Sequence, residues 1–339
     1  MKIVVINTTV MASPPTGYSG LEMIAYLQAR ELGKLGHQVL FVSPVGSDEP
    51  KNVELHGTTV REPEAKAYYG YRERLKEYDV VIDNSWEKWA YLEKINHDLK
   101  VPVLGVLHAP PHTMYKTPPP VDLPCLVAIS KDQRKAASEA WGVPSRVAYN
   151  GIDVDSYPMN GEDRSNRYLF LGRMSRIKGA HIAVDLARRC RFGLDLVGDD
   201  KLTGEPAYAH RLMRLATNGI KYHGGVSRDS TVAFFQKGKA LLHMNQIYRE
   251  PFGMAPVEAQ LCGMPVITFD NGAMRETVND KKTGFIVSDI DEVEGLVNLD
   301  AVSEIRPSDC REWASQFSAE AMGKRYEELC KEAIETGGW

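Results

Sequence analysis

The chain has 339 residues, enough for roughly two domains of ordinary size. Its 43% hydrophobic and 25% charged residues are the balance of a folded globular protein, and a net charge of -4 gives no general attraction to nucleic acid or anionic lipid. Cys125, Cys190, Cys262, Cys310 and Cys330 have neither metal-ligand nor redox spacing, the N-terminus MKIVVINTTV lacks a signal-peptide pattern, and no apolar run approaches a membrane span, so a cytoplasmic chain with free thiols and no transmembrane segment is expected.

Residues 2–6 are an apolar, β-branched run, which predicts a buried parallel strand. A loop with Pro14, Pro15 and Gly17 follows. Ser19-Gly20-Leu21-Glu22 has capping-box spacing and opens a helix to about Leu35, ended by Gly36. Residues 38–42 are the next strand. Such a βαβ unit implies a parallel sheet with right-handed crossovers. Residues 61–78 are charged but mixed, with five basic and four acidic residues. They predict a solvated helix face and give no support to a peripheral membrane contact. Further strands are expected at 79–83, 103–107 and 126–129, a helix at 131–141 closed by Gly142, and a short strand at 147–149.

A polar stretch at 156–166, with Pro158 and Gly161, divides the chain into domains 1–155 and 156–317. The second series has strands at 168–171, 194–197, 220–222 and 240–244, with a helix at 179–189. Residues 248–268 then read YREPFGMAPVEAQLCGMPVIT. Pro256 fits a first helical turn, Gly263 a left-handed helix end, and 265–269 a buried strand. A helix at 273–278, and a turn and strand at 281–287, complete the series. The helix at 319–334 is amphipathic. Two doubly wound α/β halves have their ligand crevices at C-terminal strand ends, and facing halves would enclose a cleft.

Several charged residues fall at those strand ends. Arg173 leaves the strand at 168–171, and Lys178 precedes the helix opened by Gly179. A planar fork and a point charge beside a helix start suit a diphosphate. His108 ends the run at 103–107 in LHAPP, where it can donate to a hydroxyl or ease proton transfer. Asp153-Val154-Asp155 and Asp199-Asp200 supply too few carboxylates to define a metal site, so no metal is expected. Asn271-Gly272 reads equally well as a plain turn. The first βα turn lacks G-x-G-x-x-G, which argues against a nicotinamide enzyme.

Glu250 and Glu258, separated by seven residues around Phe252-Gly253-Met254 and followed by Cys262-Gly263-Met264-Pro265-Val266-Ile267, resemble the signature of glycosyltransferase family 4. These are retaining enzymes of the GT-B fold. The Gly172-Arg173 and Lys178-Gly179 pairs, and Asn150-Gly151-Ile152-Asp153, extend the resemblance over most of residues 1–290. It implies two Rossmann-like domains and a C-terminal helix, about 318–339, crossing back to the N-terminal one. It implies transfer of a sugar from a nucleotide-diphosphate sugar, UDP-sugar foremost and GDP-sugar otherwise, to a sugar or small-molecule hydroxyl. The donor is then a co-substrate, and no cofactor is expected. Arg173 and Lys178 would bind its pyrophosphate, Glu258 its ribose hydroxyls, and the backbone of Phe252, Gly253 and Met254 its sugar. Gly17 and Gly20 resemble the family's glycine loop near the donor phosphate, although here they are split by Tyr18 and Ser19. His108 and Glu250 would serve catalysis.

Two other readings share these residues. A nucleotide-sugar epimerase of the same fold would convert the donor without any acceptor. A catalytically silent sugar-nucleotide-binding protein would bind without turnover. The acceptor is not legible; Tyr68, Tyr69, Tyr71, Trp86, Trp89 and Tyr91 supply aromatic faces, and the proline-rich loop at 109–120 would border its site.

Overall fold

The computed structural model of the protein describes residues 1–17, 19–95, 99–111, 125–159, 164–200, 205–217 and 219–339. They form two compact units, one of Met1–Asp153 with Phe317–Trp339, the other of Val154–Gln316. Most of the proline-rich loop at 109–120, Tyr18 between the two loop glycines, and Gly161 of the polar stretch lie outside the described residues.

The first unit has seven parallel strands: β1 (Lys2–Ile6), β2 (Gln38–Pro44), β3 (Val53–Thr58), β4 (Val80–Asp83), β5 (Val103–Leu107), β6 (Leu126–Ala128) and β7 (Arg146–Val147). Their order is β3-β2-β1-β4-β5-β6-β7. The inner strands are continuous runs of Val, Ile and Leu with almost no exposure, because a parallel sheet is covered on both faces. The helices are α1 (Gly20–Lys34), α2 (Glu64–Leu75), α3 (Trp89–Ile95) and α4 (Lys131–Trp141). Ser130 caps α4 by accepting from Gln133 N, and Gly142 ends it at φ 66°.

Three expectations change. The strand expected at 147–149 is β7, ending at Val147. The helix within 61–78 is more than a solvated face, since Ala67, Tyr68, Tyr71 and Leu75 bury a stripe of it. The Ser19–Glu22 capping box does not form. The Ser19 hydroxyl donates to the Glu22 carboxylate instead of accepting from the helix, and Thr8 Oγ1 donates to Glu22 Oε1 at 2.6 Å. Two hydroxyl donors compete with the backbone amides for this carboxylate, and the carboxylate is the stronger acceptor for them.

The second unit has six parallel strands: β8 (Arg167–Leu171), β9 (Gly193–Val197), β10 (Ile220–Gly224), β11 (Leu241–His243), β12 (Val266–Phe269) and β13 (Gly284–Val287), in the order β10-β9-β8-β11-β12-β13. Its helices are α5 (Ala180–Cys190), α6 (Pro206–Leu215), α7 (Arg228–Lys237), α8 (Met254–Leu261), α9 (Met274–Thr277), α10 (Ile290–Asn298) and α11 (Pro307–Ser315). Its core is a cluster from β8, β9, β11 and α5 that includes Phe170, Leu186, Leu196 and Leu242.

The last helix, α12 (Ala319–Thr336), belongs to the first unit. It is capped by Ser318, and Tyr326, Leu329, Cys330 and Ala333 are fully buried. Gly323 lets it approach α1: a Cβ there would lie 2.5 Å from Glu31 Cβ. The Asn150-Gly151-Ile152-Asp153 segment meets the start of this helix. Ile152 N donates to Phe317 O at 2.9 Å, and Asp153 pairs with Arg30 at 2.9 Å.

Candidate functional site

The second sheet reverses its order between β8 and β11. Crossovers leave in opposite directions from such a point and open a crevice beyond the strand ends. β8 ends at Leu171, so Arg173 and Lys178 follow on one side. β11 ends at His243, so Asn245, Tyr248 and Glu250 follow on the other. Gly179 brings the two loops together. It sits at φ +78°, and a Cβ there would lie 1.8 Å from the Met244 carbonyl oxygen. Only glycine fits that approach.

The result is a buried carboxylate held from three sides. Lys178 Nζ donates to Glu250 Oε2 at 2.6 Å, Asn245 Nδ2 donates to the same oxygen at 3.0 Å, and His243 Nε2 lies 3.5 Å from it. Oε1 has no partner among the described residues. Burial pushes the Glu250 carboxyl up, but Lys178 and then His243 outweigh it and hold the group well below the ordinary carboxylate range. Glu250 is therefore ionised at neutral pH, with one oxygen anchored and the other open.

Its backbone is fixed as well. Ala273 N donates to Glu250 O at 2.9 Å, and Asn271 Nδ2 donates to Asn245 O at 3.1 Å and to Tyr248 O at 2.9 Å. At Gly272, φ +69°, a Cβ would lie 2.2 Å from Glu250 O. Asn271-Gly272 is thus a clamp on the Glu250 loop and more than a plain turn.

Arg173 is half-buried, and its side chain makes no hydrogen bond or ion pair with a described residue. It does act on Tyr248, whose phenol is pushed up to about 12 by burial and by Glu250, with Arg173 opposing. Lys178 Nζ stands 5.2 Å from the Tyr248 ring centre, within cation–π range. The two cations therefore differ: Lys178 is already paired with Glu250, and Arg173 keeps its donors free for an anion.

α8 starts beside this cluster. Gly253 is its N-cap at φ 89°, without a side-chain cap. The N–H groups of Gly253, Met254 and Ala255 find no acceptor among the described residues, as expected of a helix start. Phe252, 1% exposed, anchors the turn in the core. One turn further on, Glu258 is buried. Its Oε1 accepts from the Tyr157 hydroxyl at 2.8 Å, and Arg228 Nη1 donates to that hydroxyl at 3.1 Å. Oε2 is buried with no partner among the described residues. Burial raises the Glu258 carboxyl above its ordinary range, with Arg228 and Tyr157 opposing.

In the first unit, His108 follows β5. Its Nε2 lies 2.9 Å from Asn84 Oδ1. Burial, with the charge of Lys88 adding, holds the imidazole well below its ordinary pKa, so it is neutral at pH 7. Gly20 opens α1, and a Cβ on Gly17 would meet nothing within 4 Å. The buried carboxylate of Glu22 stands in the same first turn of α1, where it already occupies two hydroxyl donors. Of the six aromatic residues, Tyr68, Tyr71 and Tyr91 are core, whereas Tyr69 and Trp86 are exposed.

Asn245, His243 and Tyr157 were absent from the sequence reading, which had Asn271 only as a turn residue. Asn245 and His243 lie at a C-terminal strand end beside the order reversal, a signal that was available. Tyr157 carried none. Among the described residues, no group of three or more His, Cys, Asp or Glu is placed to hold a metal, and no helix is long and apolar enough to cross a membrane.

Two family models match. The glycosyl transferases group 1 model covers residues 158–299, and the glycosyltransferase family 4 model covers residues 18–156. The D-inositol 3-phosphate glycosyltransferase of Corynebacterium jeikeium is 38% identical over 223 residues, 54% of this chain and 52% of that one. D-rhamnosyltransferase WbpZ of Pseudomonas aeruginosa is 28% identical over 153 residues, 42% of this chain and 40% of the other. The chain thus spans about half the length of these curated relatives. The crystal structure of Anabaena Alr3699/HepE in complex with UDP-glucose superimposes with a TM-score of 0.78 at 21% identity, covering 98% of this chain and all of that one. That likeness establishes the fold. With one family model on each parallel sheet, the chain belongs to the GT-B glycosyltransferases of group 1, family 4.

Proposed function

We propose that the protein is a metal-independent, retaining glycosyltransferase that moves a sugar from a UDP-sugar, or a GDP-sugar, to a hydroxyl of a sugar or small-molecule acceptor. The observation that carries this reading is the Glu250 cluster: an ionised carboxylate with one oxygen pinned by Lys178 and Asn245, beside an unpaired Arg173. Choice of UDP is supported by the UDP-glucose complex of the HepE structure.

Glycosyl transfer places positive character on the anomeric carbon and negative charge on the departing diphosphate. Glu250 Oε1 supplies charge for the first. Arg173, Lys178 and the free N–H groups at the start of α8 supply it for the second, without solvent having to reorganise. Glu258 Oε2 needs donors, and a ribose offers two hydroxyls. Retention follows from a front-face route in which the leaving phosphate takes the acceptor proton. His108 engages a sugar hydroxyl during transfer.

The test is incubation with a panel of UDP- and GDP-sugars, with and without acceptors, in the presence of a chelator. Mass spectrometry identifies the product and NMR its anomeric configuration. Transfer with an unchanged configuration is expected. Activity abolished by chelator and restored by magnesium or manganese would reject metal independence, and an inverted product would reject retention. Conversion of the donor without an acceptor would replace transfer by epimerisation.

A further inference from the structure

A line of buried polar side chains runs away from His108 through the first unit. The imidazole Nε2 lies 2.9 Å from Asn84 Oδ1, and Asn84 Nδ2 donates to Gln28 Oε1 at 2.7 Å. Asn84 and Gln28 are both fully buried, on the end of β4 and the middle of α1. The other end of the Gln28 amide, Nε2, lies near the Tyr326 hydroxyl of α12, but neither atom has a hydrogen-bond partner among the described residues. The Asn84 backbone is itself tied to β1, since its N–H donates to Ile6 O at 2.9 Å.

A primary amide has one accepting end and one donating end. Asn84 spends its donor on Gln28, so its oxygen faces the imidazole. An amide oxygen can only accept, so Nε2 must carry the ring proton. His108 then donates to Asn84 and Asn84 to Gln28, and bonds so aligned strengthen one another. A neutral imidazole has a single N–H. With that proton on Nε2, Nδ1 is left with a lone pair, and Nδ1 has no hydrogen bond to a described residue.

We infer that Asn84 and Gln28 are positioning residues that hold His108 as its Nε2–H tautomer, so that its Nδ1 accepts a hydrogen bond from a substrate hydroxyl. The sequence left His108 free to donate or to move a proton; the line of amides selects acceptance. The charge of Lys88 acts on the ring and favours the same neutral form. Its Nζ is buried and donates to Asp83 O at 3.1 Å and to Ser85 O. The substrate side of this inference rests on the glycosyl-transfer reading, and the tautomer does not.

The ring nitrogens of the full chain, labelled with 15N-histidine, are the direct readout. The His108 signals are assigned by their loss in His108→Gln. The wild type should show a protonated Nε2 and an unprotonated Nδ1; a protonated Nδ1 would overturn the inference. Asn84→Leu should scramble the tautomers and lower kcat for transfer about tenfold with KM nearly unchanged, the effect of losing one orienting hydrogen bond. Asn84→Asp keeps an acceptor, so it should keep Nε2–H and recover most of kcat. Gln28→Met, which removes the acceptor of Asn84 Nδ2 and leaves the Asn84 oxygen in place, gives a second loss of orientation if the Leu variant does not fold. A folded Asn84→Leu or Gln28→Met protein with the wild-type ring pattern would overturn the role given to that residue. Absence of transfer by the wild type would count against the functional reading and leave the tautomer result standing.

Discussion

Lys178→Met should destabilise the second unit by about 3 kcal/mol at neutral pH. Lys178 Nζ and Glu250 Oε2 are 2.6 Å apart, with side-chain exposures of 17% and 11%. At an effective dielectric of about 20 their attraction is about 6 kcal/mol. Desolvating the two ions costs several kcal/mol each, so the intact pair contributes little net stability. Removing one partner is different, because the other charge stays buried. Single deletions of this kind cost about 3–5 kcal/mol, and the lower end applies here because Asn245 and His243 still face the carboxylate. The double variant Lys178→Met/Glu250→Gln should therefore cost clearly less than the sum of its singles. The pH dependence has a definite sign. In the wild type the Glu250 pKa is depressed, so its stabilisation is complete above the ordinary carboxylate range and is lost as pH falls through the folded value. Without Lys178 the same carboxyl is pushed up by burial, so the deficit of the variant should shrink on acidification. Urea unfolding, followed by hydrogen exchange in peptides of β11 and α8, measures the second unit directly. An unchanged midpoint at unchanged slope, or additive single costs, would refute a buried and coupled pair.

Arg173→Ala should leave stability within about 0.5 kcal/mol, because the side chain has no partner to lose, yet weaken nucleoside diphosphate binding by about 1.5–3 kcal/mol. Calorimetry with UDP and with uridine checks this, and equal losses for both would place the phosphates elsewhere. Glu258→Gln should mainly weaken nucleotide binding, whereas Glu250→Gln should bind UDP nearly normally and lose turnover; a Glu250→Gln protein that melts early but keeps full turnover would reduce Glu250 to a structural residue. His108 adds a pH term to stability. Its folded pKa is depressed, so its contribution is whole above about pH 6.5 and falls as the unfolded chain takes up a proton, by up to about 1.4 kcal/mol per pH unit. The slope of the urea midpoint between pH 7.5 and 5 should be shallower in His108→Gln, and parallel slopes would contradict a ring held neutral in the folded state.

The two parallel sheets were legible because their inner strands are continuous apolar runs, and β1, β4, β5, β8 and β12 lie within a residue or two of their expected places. β3 was missed because it is the edge of its sheet: Glu54, Leu55, His56 and Gly57 are not buried and give no run to read. Helices α6, α7, α10 and α11 were missed because their burial is a narrow stripe; α10 buries only Val293. At the candidate site, residue types and strand ends were legible, and contacts were not. Arg173 and Lys178 read as one cationic pair, because spacing says nothing of which charge meets a carboxylate. The meeting of Lys178 with Glu250 depends on Gly179 touching Met244, a contact between residues 65 apart in the chain. Gln28 is a buried polar residue in mid-helix and carried no sequence signal at all.

The environments of the two glutamates differ in a way that their spacing alone would not give. Glu250 leaves β11 and meets donors, all of them on Oε2. Its charge is thereby compensated before any ligand arrives, and its backbone is held by Ala273 N at 2.9 Å. A carboxylate in that state can face a developing positive charge without first shedding water or changing its protonation. Glu258 is inside α8, where its helix supplies no donor to the side chain, and among the described residues only the Tyr157 hydroxyl hydrogen-bonds to it. One of its oxygens is left buried and unpartnered, a condition that costs about 1–3 kcal/mol until a donor is provided. The same burial raises the affinity of its carboxyl for protons, and a ligand with two adjacent hydroxyls would relieve both costs together. Burial with compensation thus suits Glu250 to a charge that appears only during reaction, and burial without it suits Glu258 to a neutral donor present throughout binding. Environments that push two carboxyls in opposite directions are the physical basis for giving them different roles.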